Sequence, residues 1–78
     1  MEKEIINMFT KDEIEILKTV LLERSTFYTR KIVDTRVLQL KTDNKEMVDG
    51  LNIEVSYNYR IKNAIDKLFI ILSQEKGE

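Results

Sequence analysis

The chain has 78 residues, with 13 Lys+Arg against 14 Asp+Glu and no histidine, cysteine, proline or tryptophan. That length allows one small domain, which hides a modest fraction of its surface and often needs a staple or a partner. The composition removes disulfides, thiolate metal sites, cysteine nucleophiles, Ser-His triads and the commonest zinc ligand. An enzyme is therefore not expected, and neither is a cofactor or a metal site. The net charge of −1 lacks the basic excess by which nucleic-acid binders neutralise phosphates.

The first nine residues read as an N-terminal segment with apolar Ile5, Ile6, Met8 and Phe9. This segment is expected to fold over one end of the domain. Its start lacks a basic stretch followed by an apolar one, as a secretory signal requires. The longest apolar run, Leu68 to Leu72, is far below the roughly 20 residues of a membrane span. A cytoplasmic protein that does not enter a membrane is the expectation. Abundant Ile, Lys and Asn with scarce Ala, Gly and Arg suit an AT-rich genome, such as that of a low-GC Gram-positive bacterium or its phage.

A helix start is marked at Thr10, with Glu13 three residues on. This is capping-box spacing, and Phe9 with Ile14 forms a hydrophobic staple. Ile14, Leu17, Leu21, Arg24, Tyr28, Ile32, Thr35 and Leu38 then follow helical spacing, apolar except at Arg24 and Thr35. Acidic Asp12, Glu13 and Glu15 precede basic Arg24, Arg30, Lys31 and Arg36, which suits the helix dipole. One helix is expected from about 10 to about 40, roughly 45 Å long at 1.5 Å per residue.

Lys41, Thr42, Asp43 and Asn44 form the clearest turn signal. A second helix is expected from about 45 to about 74, starting at Asp43 or Asn44, with Asp43 and Glu46 again at capping-box spacing. Met47, Leu51, Val55, Asn58, Ile61, Ile65, Leu68 and Leu72 are spaced 3 or 4 apart, and only Asn58 is polar. Gly77 lies in a short tail, 75–78.

Two helices of similar length on either side of a turn predict an all-α, coiled-coil-like antiparallel hairpin. Folding it about the turn opposes Leu38 to Met47, Ile32 to Ile53, Tyr28 to Tyr57, Leu21 to Ala64 and Leu17 to Leu68. Acidic and basic halves then face each other, and the antiparallel register gains by it.

One segment argues otherwise. Residues 51–61 alternate apolar and polar without a break, which is the pattern of a half-buried strand. Asp49-Gly50 before it could be a hairpin turn, and Gly50 inside a helix costs about 1 kcal/mol against Ala. The alternative is an α+β fold with a central β-hairpin, in the order α-β-β-α. Its partner strand would come from 26–41, where Ile32-Val33 and Val37-Leu38 are doubled and alternation fails. The all-α hairpin is preferred because caps, stripe, turn and charge gradient agree.

Candidate functional residues follow from what one seam leaves over. Ile16, Val20, Phe27, Val33 and Val37 lie off the first stripe, and Phe69, Ile70 and Ile71 off the second. Exposed apolar patches of that kind mark interfaces. The simplest outcome is two hairpins pairing into a four-helix bundle, a C2 homodimer. The function expected is a small non-enzymatic protein–protein interaction module, such as a bacterial or phage regulator or inhibitor acting through a helix face. Arg24, Arg30, Lys31 and Arg36, interleaved with Phe27 and Tyr28, form the one locally basic stretch. They are a candidate patch for an acidic partner, and the alternative function is a small nucleic-acid-associated protein using 24–36.

Overall fold

The computed structural model describes residues 6–74. Ile5 and the tail lie outside them. Among the described residues two long helices pack against each other and there is no strand. Helix α1 runs Lys11–Leu40 and helix α2 runs Lys45–Ser73.

The capping box at the start of α1 is complete. The Glu13 N–H donates to Thr10 Oγ1 at 3.1 Å, and the Thr10 N–H donates to Glu13 Oε1 at 2.8 Å. Asn44 caps α2, accepting from the Met47 N–H at 3.2 Å. The Asp43–Glu46 spacing is not the cap, because an Asn44 cap makes Met47 the third helical residue. Between the helices, the N–H groups of Lys41 and Thr42 donate to carbonyls in the last turn of α1, and Thr42 Oγ1 donates to the Leu38 carbonyl at 2.8 Å. Neither helix carries a basic residue in its last turn. The expected basic complement to the dipole thus stops short of the helix ends, where its effect is confined.

Residues 51–61 are helical. Within them the buried or half-buried side chains are Leu51, Val55, Asn58 and Ile61, at 3- and 4-residue steps. Ile53 and Tyr57, which the alternating pattern would place with them, are 73% and 62% exposed. Gly50 sits inside α2 with open space around it, so its cost stays one of helix propensity.

The seam follows a seven-residue repeat. On α1 its inward positions are Ile14, Lys18, Leu21, Ser25, Tyr28, Ile32, Thr35 and Gln39; on α2 they are Val48, Leu51, Val55, Asn58, Lys62, Ile65, Phe69 and Leu72, all buried or half-buried. Steps alternate 4 and 3, the spacing that keeps one edge of a helix against its neighbour. The register is fixed at both ends. Lys18 Nζ lies 5.9 Å from the centre of the Phe69 ring, and Gln39 Nε2 donates to the Val48 carbonyl at 3.2 Å. Stepping between them brings Leu21 level with Ile65 and Ile32 level with Val55.

This corrects the expected stripe at four places. Arg24, Leu38, Met47 and Leu68 are exposed, while Ser25, Gln39, Val48 and Phe69 take the seam. The opposed pairs Ile32–Ile53, Tyr28–Tyr57 and Leu21–Ala64 fall away with them, since Ile53, Tyr57 and Ala64 are exposed. The other inward positions, among them Leu21, Tyr28, Ile32, Leu51, Val55 and Ile65, are those of the expected stripe, so the spacing changes at alternate steps.

Buried apolar side chains concentrate at the open end, where Ile6, Ile14 and Leu72 form a cluster flanked by Phe9, Leu17, Leu21 and Ile71. Ile6 and Phe9 fold over that end; Met8 stays exposed. Thr10→Ala removes the Oγ1 acceptor of the cap beside this cluster and leaves the backbone N–H that donates to Glu13. It is expected to cost about 1 kcal/mol, lowering the thermal midpoint by about 4–8 °C. Circular dichroism melts would check this, with Thr10→Ser close to the parent.

Candidate functional site

Side-chain hydrogen bonds that cross from α1 to α2 all lie on one side of the seam among the described residues. Ser25 Oγ donates to Asp66 Oδ1 at 2.7 Å, and Lys62 Nζ meets Asp66 Oδ2 at 2.6 Å. Nearer the turn, Gln39 Nε2 donates to Asn52 Oδ1 at 2.7 Å. Arg36 donates to the same Asn52 oxygen at 3.3 Å and to Gln39 Oε1 at 3.0 Å. This edge is closed by polar groups that have found partners. The Asp66 carboxyl is held below its usual value by its hydrogen bond to Lys62 and, next, by that from Ser25.

The other edge is apolar. At about 100° per residue, Leu17, Tyr28, Ile61 and Leu68 turn to the side opposite Ser25 and Asn52. Val20, Leu38, Met47 and Tyr57 continue that surface outward, and all four are exposed. Arg24, Lys31 and Glu54 are its charged members, and of these Lys31 and Glu54 stand opposite in sign at nearly the same level. Neither ion pair among the described residues involves them, and neither pair crosses the seam: Lys18–Glu15 and Lys62–Asp66 each stay within one helix.

Asn58 is 2% exposed at mid-seam, and its Nδ2 has no hydrogen-bond partner among the described residues. Sequence reading identifies Asn58 as the polar break in the stripe but cannot show that it is an orphan. A buried amide hydrogen without a partner costs about 1–3 kcal/mol.

Of the expected interface residues, Ile16, Val20, Phe27, Val33, Val37 and Ile70 are exposed. Phe69 is half-buried beneath Lys18, on the seam. The exposed ones do not form one face. Ile16 and Val37 point away from the seam, Val20 and Phe27 lie toward the apolar edge, and Val33 turns toward the polar edge, where Ile70 and Tyr59 lie on α2. Phe27 is flanked by Tyr28, whose ring meets it edge-on at 5.1 Å, and by Arg24 at 5.6 Å.

The basic stretch does not assemble into a patch. Arg24 and Lys31, seven residues apart, share a side, Arg30 points away from the seam, and Arg36 is engaged with Gln39 and Asn52 on the opposite edge. No group of three or more carboxylates is placed to hold a metal ion among the described residues. None of the described helices is long and apolar enough to cross a membrane.

No family model matches the chain, and no curated protein or solved structure matches it.

The pH behaviour of Asp66 is a direct test of the polar edge. A carboxyl held low in the folded state stabilises it above its unfolded value, near 3.8, and that contribution is lost as pH falls through the lower folded value. Between pH 7 and pH 2 the parent should lose more thermal stability than Asp66→Asn. Equal losses would show that the Ser25–Asp66–Lys62 cluster contributes nothing.

Proposed function

We propose that this chain is a non-enzymatic protein–protein interaction module that works as paired hairpins, two copies forming a four-helix bundle. The observation that carries the reading is a mismatch of surface. Five apolar side chains are buried among the described residues, against fifteen large apolar ones exposed. The accessible surface is 6246 Å². A globular monomer of this mass exposes about 5,000 Å². The radius of gyration, 16.8 Å, likewise exceeds the roughly 11–12 Å of a compact domain of this length.

A standard interface takes about 800 Å² from each partner, and the surplus over a compact monomer is larger than that. A hairpin of this kind also suits the role of a bacterial or phage regulator or inhibitor that occludes a surface on its target. That role asks for no histidine, thiol or metal. The scatter of Arg24, Arg30, Lys31 and Arg36 around α1 speaks against a phosphate-binding surface, which needs basic groups on one side.

Sedimentation equilibrium tests the reading. The expected mass is twice the 9.3 kDa of the chain. A stable species of single-chain mass at every concentration would contradict it. A gel-shift assay with duplex DNA at about 50 mM salt, where phosphate affinity is strongest, should show no complex.

A further inference from the structure

We infer that the apolar edge of the seam, carried by Leu17, Val20, Tyr28, Tyr57, Ile61 and Leu68, is the face that a second copy of this chain covers with its own equivalent face. The inference rests on the proposed self-association and names its surface and orientation.

The two edges of the seam differ in what a partner would cost them. On the polar edge a partner would have to displace water from Ser25, Asp66, Lys62, Arg36, Gln39 and Asn52, groups that already bond one another. Burying such groups is costly unless every bond is kept. On the apolar edge, half-buried Leu17, Tyr28 and Ile61 continue into exposed Val20, Tyr57 and Leu68, with Arg24, Lys31 and Glu54 as the charged side chains among them. Covering these removes apolar area from water at about 25 cal/mol per Å². The chain itself does this at one end, where Ile6 and Phe9 pack against Leu17 and Ile71.

Charge sets the orientation. Arg24 and Lys31 of α1 and Glu54 of α2 are the charges of this face, and of these Lys31 and Glu54 are opposite in sign and lie within a turn of the same level along the hairpin. A two-fold axis parallel to the helices sets α1 of one copy antiparallel against α2 of the other and keeps every level. Lys31 of each copy then stands beside Glu54 of the other, so the contact is made twice, as an isologous interface requires. Setting the turns at opposite ends would place α1 against α1 and match Lys31 with Val20 instead.

Sedimentation equilibrium on six variants separates the possibilities, with helicity followed by circular dichroism. Tyr57→Glu and Val20→Glu alter side chains that are exposed in the hairpin, so both should stay helical and fall to single-chain mass. Val33→Glu and Tyr59→Glu, toward the polar edge, should remain dimers. Lys31→Glu should weaken the dimer more than tenfold, and Lys31→Glu with Glu54→Lys should restore it. That rescue decides the matter even if a glutamate variant fails to fold. A dimer that resists Tyr57→Glu and Val20→Glu but dissociates with Val33→Glu would place the interface on the other face. It would overturn this inference while leaving self-association intact. Failure of the charge swap to rescue would overturn the orientation. A parent chain of single-chain mass would overturn both the inference and the reading beneath it.

Discussion

Two helices side by side share one seam, and here much of that seam is polar. Lys18, Ser25, Tyr28, Thr35 and Gln39 occupy inward positions on α1, and Asn58 and Lys62 do so on α2. The layers that are apolar on both sides, such as Ile14 with Leu72, Leu21 with Ile65 and Ile32 with Val55, are spread along the length. A seam of this make-up specifies register well, because polar side chains must find their partners. It supplies little hydrophobic stabilisation, because each polar position removes apolar area from the buried total. The remaining features of the molecule follow from that shortage.

The first consequence is the division of labour between the two edges. Hydrogen bonds from Ser25, Arg36 and Gln39 lock α1 to α2 on one side. The other side is left with leucines, isoleucine and tyrosines that the hairpin only half hides. The N-terminal residues Ile6 and Phe9 cover one end of it. A single short segment cannot cover a face that runs the length of helices of 30 and 29 residues. An added helical layer does so naturally, and a second copy provides two helices of matching length and charge.

Local structure was legible because it depends on neighbours in sequence. Thr10, Glu13, Phe9 and Ile14 announce a helix start through contacts within one turn. The turn at 41–44 separates two runs with helical spacing, and the absence of any strand among the described residues agrees. The alternation in 51–61 misleads because Ile53, Tyr57 and Tyr59 are apolar or aromatic for a reason other than the seam. They are exposed.

What could not be read was the exact spacing of the seam. A stripe at the spacing of an isolated helix runs through Arg24 and Leu38 on α1 and through Met47 and Leu68 on α2, which are exposed. The packed pair follows a seven-residue repeat and accepts Ser25 and Gln39, whose value appears only when Asp66, Asn52 and Val48 are seen across the seam. The same repeat explains why Phe69 belongs to the seam, and why Val33 does not share a side with Val20 and Phe27. The basic residues were adjacent in sequence, but helix geometry disperses them.

The central claim is that the hairpin seam alone does not account for the stability of the folded chain, and that association supplies the rest. The thermal midpoint measured across a hundredfold range of chain concentration tests this most directly. Coupled folding and association predict a midpoint that rises steadily with concentration. A midpoint that stays constant over the whole range would contradict the account.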